Sequence, residues 1–463
     1  MDSENPIRCL AIIDGEHYPP VVAAALTELS DEGYEITAAL LVGGTEKLPA
    51  DGISQLAGVR VISGADDPRA ALDRTLAETG AERVLDLSDE PVLDYRRRHE
   101  LAAVALARGV PYQGADFVFE PPPRPRLCAA PSVAVIGTGK RTGKTAVDAF
   151  AARTLTTMGM KVVVVAMGRG GPEQPEVLRG DETTLTPEDL VALADAGVHA
   201  ASDYVEDALL GRVTTVGCRR CGGGLAGAVT SSNFAEGVRV ANDLSADLLL
   251  LEGSGAAIPP AHADVTALVV PASIPEEHLA GYMGPYRLLL SDLVVVTMCE
   301  EPFADPSRIS SLTALIHNAF RPVRSGEEEG EPIRVFRTVF RPHPTRSVEG
   351  AAAYVATTAP EAAGDSIRRH LENEHGCRVV GISHALSDRA KLEKELGEIK
   401  GRADVLLCEI KAAAIDVATR RALDGGLDVV YFDNVPLPVD GDDPAAAFIW
   451  AAERAQARFE GET

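Results

Sequence analysis

The sequence predicts an α/β protein of three units, each built on a parallel sheet. Two observations carry this. Apolar runs of strand length alternate with helical spacing along most of the chain, and two stretches of linker composition interrupt that alternation. With 463 residues, and roughly 100–200 residues per domain, two to four domains are expected. The boundaries fall at Pro121-Pro122-Pro123-Arg124-Pro125, which is stiff and extended, and at the polar, acidic stretch Ser325–Glu331. The expected units are 1–125, 126–330 and 331–463.

In the first unit Ile7–Ile13 reads as a strand, Val21–Leu29 as a helix ending near Gly33, and Ile36–Val42 as a second strand closed by Gly43-Gly44. Val84–Leu87 and a helix over 92–107 continue the pattern. In the second unit Val133–Ile136 is a strand and 144–158 a helix. Val162–Ala166, nearly all valine, suits a strand buried on both faces. Thr186-Pro187-Glu188-Asp189 carries a cap, a first-turn proline and acids at the positive helix end. Leu248–Leu251, Val265–Val270 and Leu293–Thr297 add three more strands. The third unit alternates again, with strands expected at 333–339, 353–357, 378–382, 404–408 and 428–432.

Composition excludes several classes of function. Hydrophobic residues make up 46% and charged residues 24%, a globular rather than a disordered balance. No apolar run reaches the ~18 residues of a membrane span. The start, Met-Asp-Ser-Glu-Asn-Pro, lacks the basic and apolar regions of a secretory signal, so a cytoplasmic location is expected. Asp+Glu number 69 and Lys+Arg 44, a net charge of −25, which argues against nucleic-acid or anionic-membrane partners. Seven scattered cysteines make no disulfide framework. The close pair Cys218-Arg-Arg-Cys221 reads as ordinary thiols in a glycine-rich loop rather than half of a zinc site.

One place in this acidic chain concentrates cations. Lys140 and Lys144, two of eight lysines, lie in Val133-Ala-Val-Ile-Gly137-Thr138-Gly139-Lys140-Arg141-Thr142-Gly143-Lys144-Thr145. A strand enters and a helix leaves, the setting of a P-loop, so the middle unit is expected to have a P-loop NTPase-type parallel sheet. Glycines at 137, 139 and 143 allow backbone N–H groups to surround a phosphate, and the helix beginning at Lys144 points its positive end at it. Lys144 would reach the β- and γ-phosphates, and the Thr145 hydroxyl would ligate Mg²⁺. The spacing departs from the usual four residues between glycines, since five separate Gly137 from Gly143. Gly-Thr-x4-Gly-Lys-Thr resembles the loop of dethiobiotin synthetase and its relatives. About 100 residues on, the strand ending at Leu251 runs into Glu252-Gly253-Ser254-Gly255, which places Glu252 as the Mg²⁺-organising carboxylate. Those enzymes also carry an acid after the second strand of the unit. Here that turn reads Met167-Gly168-Arg169-Gly170-Gly171-Pro172, so Arg169 is expected on substrate phosphate instead.

With these residues in hand, the whole chain resembles the cyclic 2,3-diphosphoglycerate synthetases. The resemblance rests on Ile13-Asp14-Gly15-Glu16-His17-Tyr18-Pro19-Pro20, on the loop 137–145 with both Lys140 and Arg141, on Met167–Pro172 and on Leu251–Gly255. It implies an ATP- and Mg²⁺-dependent ligase that closes a phosphoanhydride between the two phosphates of 2,3-diphosphoglycerate, releasing ADP and phosphate. Such chemistry needs charge neutralisation and in-line placement, and Lys140 and Arg141 suit a second cluster of negative charge beside the γ-phosphate.

Weaker candidates complete the reading. Asp14, Glu16 and His17 follow the first strand, at the carboxyl end where open α/β sheets bind ligands, and could hold the glycerate. Arg96-Arg97-Arg98-His99 reads as a solvated helix face. Arg337, Arg341, His343 and Arg346 form a candidate anion loop after a strand, and Lys411 a candidate phosphate ligand. A homodimer acting on a small phosphorylated substrate is the expected working form. The alternatives are a 2-phosphoglycerate kinase or a dethiobiotin-synthetase-like ligase on the same fold. A metal-insertion GTPase lacks support, because Thr297-Met-Cys-Glu300 stands where a guanine-specific Asn/Thr-Lys-x-Asp would follow its strand.

Overall fold

Two sheets organise the chain in this computed structural model, which describes all residues except 1–4, 45, 50–51, 184, 198–199, 201, 322–331, 398, 400, 412–413 and 463. The expected linker Ser325–Glu331 lies outside the described residues.

The first sheet holds β1 (Ile7–Ile13), β2 (Tyr34–Leu41), β3 (Val59–Ser63) and β4 (Arg83–Asp86), with helices α1 (Pro19–Asp31), α2 (Pro68–Thr79) and α3 (Tyr95–Ala107) between them. The order is Gln55–Leu56, β3, β2, β1, β4, then the short strands Tyr112–Gln113 and Val118–Phe119. β1 pairs parallel with both β2 and β4. Alternation along β1 serves two helix layers. Leu10 and Ile12 join Leu101 and Leu106 of α3, while Ala11 and Ile13 join Val22 and Leu26 of α1.

The second sheet is larger. Its first part comprises β5 (Ser132–Gly137), α4 (Lys144–Thr157), β6 (Val162–Gly168), β7 (Glu176–Arg179), α5 (Pro187–Asp195), α6 (Asp203–Gly211), β8 (Thr214–Cys221), β9 (Leu248–Glu252), β10 (Val265–Pro271) and β11 (Leu293–Thr297). The later part comprises β12 (Arg334–Pro344), β13 (Ala352–Ala356), β14 (Arg378–Ser383), β15 (Val405–Glu409), β16 (Asp428–Pro438) and the terminal helix α7 (Pro444–Glu462). The strand order is β7-β8-β6-β9-β5-β10-β11-β12-β16-β15-β13-β14. The valine run of β6 is wholly buried, as a strand covered on both faces must be. Thr186 caps α5 as expected, and Asp189 completes a capping box with it.

β12 joins the two parts. Arg334–Arg337 pair parallel with β11, whereas Thr338–Pro344 overhang its end and pair antiparallel with β16. One sheet therefore runs through both the second and third expected units, and α7 returns to pack on α4, with Phe448 against Phe150. Because β16 runs back along the overhang and β15 and β13 follow it in parallel, their carboxyl ends face the carboxyl ends of β5, β6 and β9. A cleft opens between the two sets.

Two expectations are corrected here. The residues around Pro342 and Pro344 are strand, not loop. Thr338 accepts from Cys299 on the β11 side, so Pro342 and Pro344, at even spacing from it, lack their N–H on an edge that β11 no longer occupies. Cys218 and Cys221 lie on β8, not in a glycine-rich loop, with Cys218 buried and Cys221 exposed.

Candidate active site

The cleft has a volume of about 1580 Å³, and its lining begins at Lys140, with nothing from the first sheet. On one wall stand the loop after β5, the turn after β6, the first turn of α6 and the residues Glu252–Gly255 after β9. The opposite wall carries the residues that follow β13, β14 and β15, with Phe432, Asp433 and Asn434 of β16.

The phosphate loop is held from three sides. Thr297 at the end of β11 donates its hydroxyl to the Thr142 carbonyl at 2.9 Å. Gly143, the residue before α4, has φ 90°, and a Cβ there would lie 2.3 Å from Phe340 of β12. A Cβ on Gly137 would press on the Lys144 side chain at 2.8 Å. Gly139 differs from the expectation. It keeps an ordinary φ and meets no protein atom, while Arg141 takes the left-handed conformation at φ 63°. Protein packing therefore demands glycine at 137 and 143 but not at 139. Lys140 and Arg141 are exposed at the lip of the cleft, with no ion pair to any described residue.

Behind the loop the charges crowd together. Lys144 is 8% exposed, and burial lowers its pKa, with Arg169 and Arg220 acting the same way against Glu252 and Asp203. Thr145 donates its hydroxyl to Glu252 Oε1 at 2.8 Å. Glu252 is 1% exposed, and its other oxygen, Oε2, has no partner. Burial first, then Asp203 and Asp148, push its pKa well above the usual carboxylate value. An orphaned buried carboxylate oxygen beside a threonine hydroxyl is a donor set that fits a hard divalent cation. An acid does stand at the end of the second strand in space, and it is Asp203. It comes from the first turn of α6, and its Oδ2 lies 3.5 Å from the Cβ position of Gly168, at the end of β6. Asp148 and Asp207 lie deeper, both 0% exposed and with all four oxygens unpartnered.

Other expected residues have different duties. Lys411 lines the cleft, but its ammonium lies 2.8 and 2.9 Å from the two oxygens of Glu206 on α6, which takes it away from phosphate and ties the walls together. Asp14 is a loop cap. One oxygen accepts from Glu16 N, His17 N and His17 Nδ1, the other from Asp89 N. Glu16 and His17 stay with it at the end of β1, outside the cleft lining. Arg337 pairs with Asp442, Arg341 with Glu300 at 2.5 and 2.7 Å, and Arg346 with Asp428, so that arginine cluster is internally neutralised. Arg98 is no solvated helix residue either, since it reaches Asp86 at 2.7 Å.

Comparison with known proteins shows the family. Profiles of the N-terminal, P-loop and C-terminal domains of cyclic 2,3-diphosphoglycerate synthetase match residues 8–120, 132–324 and 344–435. The chain belongs to the cyclic 2,3-diphosphoglycerate synthetase family. Synthetases of that name from Methanothermobacter thermautotrophicus and Rubrobacter xylanophilus are 44% and 45% identical to it. The first alignment covers 97% of each chain, the second 98% of this chain and 100% of the other. The synthetase from Thermococcus gammatolerans is 42% identical over 98% of this chain and 99% of its own. Among solved structures, LpxK from Aquifex aeolicus in complex with ATP aligns with 13% identity and a TM-score of 0.39, over 71% of this chain and 90% of its own. No helix among the described residues is long and apolar enough to cross a membrane.

Proposed function

We propose that the chain is an ATP-dependent ligase, acting in the cytoplasm, that converts 2,3-diphosphoglycerate into its cyclic phosphoanhydride with release of ADP and phosphate. The observation that carries the reading is the convergence of Lys144, Thr145 and Glu252 in a cleft large enough for two phosphorylated ligands, in a chain related along its whole length to enzymes named for that product.

Two phosphates do not condense unaided, because an oxide is a poor leaving group. Transfer of the γ-phosphoryl group of ATP solves this. An oxygen of one substrate phosphate forms a bond to the γ-phosphorus as the bond to the bridging oxygen of ADP breaks. An oxygen of the other substrate phosphate then attacks the phosphorus that carries the transferred group, closing the ring while inorganic phosphate leaves. A phosphate dianion has no proton to remove, so the protein's task is to gather and align negative charge. Thr145 and Glu252, with Asp203 beside them, would hold Mg²⁺, whose contribution is further neutralisation of the triphosphate. Lys144 rises from the first turn of α4 toward the β- and γ-phosphates, where backbone N–H groups and the helix end also point. The desolvation that lowers its pKa is offset once those phosphates arrive. Lys140 and Arg141, without an ion pair among the described residues, are free to meet the substrate.

Incubation with ATP, Mg²⁺ and 2,3-diphosphoglycerate, followed by ³¹P NMR, tests the reading. New anhydride resonances distinct from those of ATP and ADP, growing with ADP and inorganic phosphate, support it. No anhydride beyond the nucleotides', with 2,3-diphosphoglycerate formed in a parallel incubation with 2-phosphoglycerate, would replace it with a kinase.

A further inference from the structure

We propose that Arg169 and Arg220 together form the seat of the substrate phosphate that accepts the γ-phosphoryl group. This rests on the ligase reading above and adds a second cationic pair to it: Arg169 lines the cleft, and Arg220 meets that lining at Ser254 and Gly255. Arg220 owes its place to the strand β8. The register of β8 against β6 sets Arg219 opposite Gly168, which brings Arg220 level with Arg169. Both guanidinium groups reach the end of β9. The Nη2 atoms of Arg220 and Arg169 lie 3.4 and 3.7 Å from the point where a Cβ on Gly255 would stand. Gly255, at φ 60°, closes the Glu252-Gly-Ser-Gly255 stretch, so glycine here leaves the space the two arginines fill.

Arginines of this chain are held in two ways, by carboxylates or, as Arg287 is, by backbone carbonyls alone. Arg98, Arg108, Arg153, Arg337, Arg341 and Arg458 each meet a carboxylate within 4 Å. Neither Arg169 nor Arg220 does so among the described residues. Arg220 donates to the carbonyls of Gly222 at 2.7 Å and Ser254 at 2.8 Å, and its Nε is buried without a partner. Two guanidinium groups side by side, with the Lys144 ammonium near enough to feel both, repel one another. Asp203 and Glu252 offset part of this charge, and a phosphate dianion arriving from outside would offset more. A phosphate monoester dianion offers three oxygens to two forks, and from this position it would approach the γ-phosphorus past Lys144. The second substrate phosphate would then fall to Lys140 and Arg141.

Calorimetric titration of 2,3-diphosphoglycerate into the full chain, saturated with Mg²⁺ and a non-hydrolysable ATP analogue, tests the seat directly. Arg169→Ala and Arg220→Gln should each weaken that binding by about 10- to 150-fold, the value of a charge-assisted contact. Affinity for the ATP analogue alone should change by less than about threefold. Arg220→Lys keeps a charge but not the fork, and should restore part of the loss. Thermal melting of each variant identifies any that fail to fold, and Arg169→Ala, whose side chain holds no structural bond, then decides the matter. Unchanged diphosphoglycerate affinity in folded variants would overturn the proposal and leave Arg220 a loop brace between Gly222 and Ser254. So would a wild type that binds no diphosphoglycerate at all. A wild type that binds it through these arginines yet yields no anhydride by ³¹P NMR would keep the seat and reject the ligase reading.

Discussion

Asp14 at the end of β1 and Glu252 at the end of β9 occupy matching places, each a buried carboxylate just beyond a central parallel strand, and their surroundings are opposite. Asp14 receives four hydrogen bonds from its own loop and from Asp89. Although burial acts to raise its pKa, those bonds hold it below the usual value. Glu252 receives one bond, from Thr145, and keeps a bare oxygen in the interior with its pKa driven up. A loop that serves only the fold satisfies its polar groups, because a buried unpartnered group costs about 1–3 kcal/mol. The second sheet tolerates several such groups at one spot: Glu252 Oε2, the Thr142 hydroxyl, Arg220 Nε and both carboxylates of Asp148 and Asp207. That concentration, rather than the mere presence of acids at strand ends, is what marks a ligand site.

Lys144→Ala should separate the two regions most sharply. It removes the cation at the transferring phosphoryl group, and loss of a comparable electrostatic contact typically costs ~10²–10³ in rate. The melting temperature should hold, since a desolvated lysine contributes little to the empty fold. Near-wild-type turnover would take the loop out of the mechanism. Glu252→Gln comes next. The amide keeps the Thr145 contact but not the charge, so Mg²⁺-dependent binding of an ATP analogue should weaken by about 10- to 150-fold with no loss of thermal stability. An unaltered Mg²⁺ titration would reduce Glu252 to a strand-end residue.

Asp14→Ala should behave in the reverse way. Removing an acceptor of four bonds should destabilise the first sheet by about 1–3 kcal/mol, seen as a lower melting temperature, while kcat/KM for diphosphoglycerate holds in the folded fraction. A specific loss of kcat/KM without a change in melting would return Asp14 to the substrate site.

What the sequence displayed, and what it hid, follows from this contrast. Strands that are apolar throughout, such as Val162–Gly168 and Leu293–Thr297, announce themselves, and so does a loop whose chemistry is written in consecutive residues. Contacts between distant segments do not. Asp203 could not be matched to the turn after β6 because it lies 35 positions on, in a helix whose start carries only Ser202-Asp203 as a signal. Thr214–Cys221 hid as a strand because its last residues, Arg219-Arg220-Cys221, are polar where it emerges at the cleft. Lys411 had the composition of a ligand, and only the fold reveals Glu206 as its partner. The arginines at 337, 341 and 346 misled for the same reason.

The smallest expected effect probes the unsatisfied cluster through pH. Asp148 lies on α4, fully buried, and burial raises its pKa to about 7 from an ordinary 3.8. The folded protein therefore keeps a proton on Asp148 across a range in which the unfolded chain has already lost it. Between about pH 4 and pH 7 the native state binds more protons than the unfolded one, so stability falls as pH rises through that window, and above it the cost of the buried charge is constant. Asp148→Asn has the same shape and no titration. Its melting temperature, measured on the ligand-free protein, should pull ahead of wild type as pH goes from 5 to 8, by roughly 1 °C for each kcal/mol of difference in a chain of 463 residues. Asp148 also raises the pKa of Glu252 and Asp207, so the comparison reads the relief of the whole cluster rather than of Asp148 alone. A gap that stays flat across that range would mean Asp148 is ionised in the folded state, held by a counter-charge or water in the cluster. The contrast between a satisfied loop at β1 and an unsatisfied one at β9 would then narrow to Glu252 and its neighbours at the phosphate loop.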